Sequence, residues 1–125
     1  MTHQQFTWTK PSHSHPEIAI YHLVGLFTGG KDGYDLLEEV RAELTAGAKG
    51  VVLNLEGVPR LSSAGVGIIA ASFTSARNVG AGMRLSGLSS QARQILTMVG
   101  VLGLVGEAPS DDAAVAELMS EDTRR

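Results

Sequence analysis

The sequence predicts an α/β domain: a mixed, mostly parallel sheet of about four to five strands, flanked by about four helices. Three observations carry this expectation. Short apolar or β-branched runs alternate with stretches of helical periodicity, and glycines gather at the junctions between them. The composition, 43% hydrophobic and 18% charged, is that of a globular chain. At 125 residues the chain has the length of one domain, read as residues 1–125 with a core over 17–118 and an N-terminal strand and loop over 1–16.

Gln4 to Lys10 alternates Phe6 and Trp8 with polar neighbours, the pattern of a short half-buried strand. Two prolines make Pro11 to Pro16 a loop. Glu17 to Val24 places Ile18, Ile20, His22 and Val24 on one face and Ala19, Tyr21 and Leu23 on the other, so a strand covered on both sides is expected. The short link between these two strands requires antiparallel pairing. Glycines at 25, 29, 30 and 33 mark a loop, with Asp32 expected to cap a helix over about Tyr34 to Thr45.

Gly50 to Leu55 reads as a central buried strand. A second helix is expected from about Ala64 to Val79, then a strand at Met83 to Ser86. Ser89 or Ser90 caps a third helix carrying Ala92, Ile95, Leu96 and Val99. Val101 to Val105 is read as a last short strand or turn, and Asp111 to Met119 as a final helix with Val115 and Leu118 inward. The acidic residues Asp111, Asp112, Glu117, Glu121 and Asp122 read as a solvated face.

The formal net charge of −3, with no basic run, argues against direct nucleic-acid binding, which requires a cationic face. With no cysteine there can be neither disulfide nor thiolate metal site. The longest apolar run, Ala64 to Phe73, is about half of a membrane span, and the N-terminus lacks the features of a signal peptide. A soluble cytoplasmic protein without membrane contact is the expectation. His13-Ser14-His15 lacks the further ligands of a metal site, and no metal or other cofactor is expected.

The informative stretch runs from Val51 to Ile69: a buried strand, a tight loop with Pro59, then Ser62 and Ser63 where a helix begins. Either serine can cap the first amides of that helix. Gly65 and Gly67 in its first turns cost about 1 kcal/mol each against alanine, which suits a helix whose backbone something must approach closely. Gly65 to Ala70 also spells G-x-G-x-x-A. A dinucleotide fingerprint, however, begins directly after its strand and needs an acid at the end of the next one, and both are missing. No G-x-S-x-G elbow surrounds Ser63 and no histidine follows it, so a hydrolase triad is not supported.

Leu53-Asn54-Leu55-Glu56-Gly57-Val58 followed by Ser62-Ser63-Ala64-Gly65-Val66-Gly67 resembles the STAS domain of anti-sigma factor antagonists. The resemblance continues through Met83 to Leu88 and Ile95 to Val101. By position Ser63 matches the family's phosphorylated serine, with Ser62, Ala64, Gly65 and Asn54 as its support and partner-binding surroundings. Ser62 stands where many members carry aspartate.

The resemblance implies a STAS-type fold and a partner switch without catalysis of its own. Unphosphorylated, such a protein binds a serine kinase of ATPase fold that doubles as an anti-sigma factor; phosphorylation ends binding and a phosphatase resets it. A weak homodimer is a further expectation. The alternatives are a STAS scaffold or transporter-accessory subunit not controlled by phosphorylation, a small nucleotide-dependent enzyme, and a Ser63 that only caps its helix.

Overall fold

The computed structural model describes residues 5–10 and 15–124. The N-terminal strand β1 (Thr7–Thr9) pairs antiparallel with β2 (Ile18–Val24), as its short link requires. From there the chain alternates: α1 (Lys31–Thr45), β3 (Gly50–Gly57), α2 (Ser63–Asn78), β4 (Gly82–Ser86), α3 (Ser90–Met98), α4 (Val101–Val105), β5 (Glu107–Ala108) and α5 (Asp111–Arg124). The sheet order is β1-β2-β3-β4-β5, and every pairing after the first is parallel. This is the mixed, mostly parallel α/β sheet expected, with five helices among the described residues.

Two-sided burial of β2 and β3 divides the core. Tyr21 and Leu23 face a large cluster with Val51, Leu53, Leu55, Leu36, Ile69 and Leu96, under α1 to α4. Ile18, Ile20 and Val52 face a smaller one beneath α5, closed by Ala114 and Leu118. Gly50 belongs to this second face: a Cβ there would stand 2.9 Å from Ile18 and 3.0 Å from Leu118.

Three expectations change. Helix α1 starts at Lys31 with Gly30 as its N-cap, so Asp32 does not cap it but lies in the first turn and accepts a hydrogen bond from Gln5 Nε2 (3.2 Å). Of the strand or turn expected at Val101 to Val105, the structure has a helical turn: Gly100 at φ 82° redirects the chain into it, Gly106 at φ 88° ends it, and the strand comes after, at Glu107–Ala108. A five-residue apolar run is too short for periodicity to separate the two. The acidic face is not simply solvated either. Arg84 of β4 pairs with Glu117 (2.9 Å) and Glu121, and Asp111 is held by three side chains. His13 lies outside the described residues; His15 Nδ1 accepts the Glu17 amide (3.1 Å).

Candidate functional site

The turn between β3 and α2 is fixed by the loop that follows β2. Phe27 and Leu61 form an isolated parallel bridge, and the Phe27 amide donates to the Arg60 carbonyl (3.3 Å). Ser62 is the N-cap of α2, extended at φ −89° and ψ 170°. Its backbone amide and its hydroxyl both donate to the Phe27 carbonyl (3.0 and 3.1 Å), while its Oγ accepts from the Gly65 amide (3.2 Å). The hydroxyl thus acts as donor and acceptor at once. A carboxylate in its place could cap Gly65 but could not donate to Phe27.

The choice between the two serines as cap is thereby settled. Ser62 caps; Ser63 is the first helical residue, exposed, and its hydroxyl has no hydrogen-bond partner among the described residues. Ala64 and Gly67 lie exposed on the same helix start, and Gly65 is buried.

The two glycines differ in kind. A Cβ on Gly65 would stand 2.5 Å from the Phe27 carbonyl oxygen and 2.7 Å from Leu61, whereas one on Gly67 meets nothing within 4 Å. The close approach anticipated for this helix is made at Gly65 by the protein's own chain. At Gly29 (φ +79°), a Cβ would collide with that of Ala64, so the start of α1 abuts the start of α2. Gln91 clamps Leu61 through both backbone groups (2.8 and 3.0 Å), and Ser89 donates to the Pro59 carbonyl (3.2 Å). The starts of α1, α2 and α3 therefore line one rim of the domain.

Asn54 lies on the other face of the sheet. Its Oδ1 accepts the Glu56 amide (2.9 Å), and its Nδ2 donates to Asp111 (3.0 Å), the first residue of α5. It supports the end of β3 but does not touch the Ser62–Ser63 turn. Asp111 also accepts from Ser86 (2.8 Å) and bonds His22 Nε2 (2.8 Å). His22, Asn54 and Ser86 are register neighbours on three parallel strands. Burial works against the charge on Asp111, yet the hydrogen bonds from His22, Ser86 and Asn54 outweigh it and hold its carboxyl below the ordinary carboxylate range.

Asp111, expected on a solvated face, is thus tied to three strands, with His22 among its partners. The signal available was that polar residues interrupt three apolar strands at the same end. Met98 of α3 is 77% exposed. It sits at the far end of α3, though, some 12 Å of helix from the start that adjoins Ser63.

Among the described residues no group of three or more His, Cys, Asp or Glu side chains could hold a metal ion. No helix among them is long and apolar enough to cross a membrane.

Comparison with known proteins places this geometry. No curated protein sequence matches the chain. Similar solved structures include the anti-sigma factor antagonist SpoIIAA in its unphosphorylated form, at 16% identity and a TM-score of 0.77, over 91% of this chain and 97% of that one. An anti-sigma factor antagonist from Mycobacterium paratuberculosis superposes at 0.75 with 17% identity, over 90% and 95% of the two chains. The STAS domain of a SulP transporter from Vibrio cholerae does so at 0.67 with 20% identity, over 91% and 90%. At these identities the likeness is one of fold. The STAS domain family model matches residues 10–114, most of the chain. The chain belongs to the STAS domain family.

Proposed function

We propose that this protein is an anti-sigma factor antagonist that works by partner switching, with Ser63 as the phosphorylated residue. Unmodified, it binds a serine kinase that doubles as an anti-sigma factor; once Ser63 is phosphorylated the complex separates, and a phosphatase restores the starting state. It is a binding protein of the cytoplasm, and the phosphoryl chemistry belongs to its partner.

The observation that supports this reading most is the division of labour at the start of α2. Ser62 does the capping, so the Ser63 hydroxyl is exposed at the first helical position, without a hydrogen-bond partner among the described residues. A phosphate there adds about −1.5 to −2 charge at a helix start, where the dipole and unpaired amides favour anions. The fold is left intact while the surface offered to a partner becomes negative. Ala64 and Gly67 keep that surface low, and Ser62 and Gly65 hold it in place.

The test is incubation with ATP and a candidate kinase of this class, with the phosphate located by mass spectrometry. Label on Ser63, abolished in Ser63→Ala, is expected. Ser63→Asp should weaken kinase binding by more than about tenfold, with a melting temperature within about 2 °C of the parent. Label that survives Ser63→Ala would overturn the assignment. Undiminished binding by Ser63→Asp would instead favour a scaffold role.

A further inference from the structure

The N-terminal strand begins close to the turn that presents Ser63, and the contact between them is specific. The Phe6 ring stacks on that of Phe27, with centroids 4.3 Å apart and planes 10° from parallel. Phe6 is 6% exposed although β1 is a three-residue edge strand. The Phe27 ring is fully buried, and its other surroundings are tight: a Cβ on Gly33 of α1 would come within 3.4 Å of it and within 2.7 Å of Ile68 from α2. The carbonyl of this same Phe27 receives both the amide and the hydroxyl of Ser62 and lies against Gly65.

We propose that Phe6 is a positioning residue for the Ser63 site: its ring seats Phe27, and the Phe27 carbonyl in turn holds the Ser62 cap and the first turn of α2. Only the consequence for Ser63 rests on the function proposed above; the mechanical link does not. Deleting the Phe6 ring leaves Phe27 packed on one side and open on the other, next to a cleft of about 410 Å³ that Gln5, Phe6 and Leu26 help to line. Phe27 can then shift, and with it the carbonyl that receives the Ser62 hydroxyl and amide.

Strand β1 supplies its own control. Trp8 leaves the same face two residues on and packs edge-on against Tyr21, with centroids 5.7 Å apart, away from Phe27. Its removal loosens the same strand without touching the Phe27 seat.

The experiment is amide hydrogen exchange by NMR on the full chain, comparing Phe6→Ala, Phe6→Leu and Trp8→Ala with the parent. Exchange at the Ser62 and Gly65 amides is read relative to the parent, with Val52 and Leu53 in the centre of β3 reporting any change in global stability. Phe6→Ala should raise the relative exchange at both amides by about tenfold or more, Phe6→Leu by less, and Trp8→Ala by less than about twofold. Equal effects of Phe6→Ala and Trp8→Ala, or no effect of Phe6→Ala, would overturn the proposal. Should Phe6→Ala fail to fold, the comparison of Phe6→Leu with Trp8→Ala decides it by the same criterion. Because no kinase is involved, the result is independent of whether Ser63 is ever phosphorylated.

Discussion

Gly65 and Gly67 offer a matched pair of perturbations within one helix. Replacing either by alanine brings the same gain in helix propensity, about 1 kcal/mol. At position 67 the new methyl meets nothing within 4 Å, so that gain is realised, and Gly67→Ala should stabilise the fold by up to about 1 kcal/mol. At position 65 the methyl would stand 2.5 Å from the Phe27 carbonyl oxygen and 2.7 Å from Leu61 Cδ1. The first of these atoms is backbone and cannot swing away, so α2 must lift from the β2–α1 loop. Lifting sacrifices the Ser62 hydroxyl and amide bonds to Phe27, about 1 kcal/mol each, and adds an overpacking cost of about 1–3 kcal/mol. Set against the propensity gain, Gly65→Ala should destabilise by about 2–4 kcal/mol. Urea unfolding followed by circular dichroism measures both variants, with the m-value checked for constancy. A Gly65→Ala protein as stable as Gly67→Ala would refute the packing of this turn.

Ser62→Ala should cost about 1 kcal/mol, a fall of roughly 4 °C in melting temperature by calorimetry, whereas Ser63→Ala should move it by less than about 1 °C. Asp111 predicts a pH dependence. Its folded carboxyl titrates below its unfolded value, so its contribution is complete above about pH 4 and fades as the pH falls through the folded pKa. The stability difference between the parent and Asp111→Asn should therefore narrow on acidification below pH 4, as measured by urea titrations at several pH values. Leu118→Ala, which empties the centre of the small cluster under α5, should cost about 2–5 kcal/mol. Its effect on amide exchange should be largest in α5.

Much of this architecture was legible because strands buried on two faces and helices with an apolar stripe write different periods into the chain. Ile18 to Leu23 could be assigned residue by residue to two opposite layers, and the structure sorts them that way. Legibility failed where the deciding contact is remote in sequence. Ser62 and Ser63 are chemically identical, and only the Phe27 carbonyl, 35 residues earlier, makes one the cap and leaves the other free. Gly65 and Gly67 looked alike for the same reason. Asp111 finds its partners 25, 57 and 89 residues away, so no local pattern could separate it from its solvated neighbour Asp112. Asp32 misled because capping chemistry is common to the residues on either side of a helix start, and Gly30 took the position without any side chain.

The unequal division of the core has a further consequence. The cluster that joins α5 to the sheet has six buried residues, two of them on α5 itself, against twenty-five in the other cluster, so α5 has the fewer apolar contacts to break in a partial opening. Such an opening would bare Ile18, Ile20 and Val52 on an otherwise native sheet, a sticky apolar surface that invites self-association. Asp111 ties the first residue of that helix to three strands at once, and those bonds must break before α5 can leave the sheet.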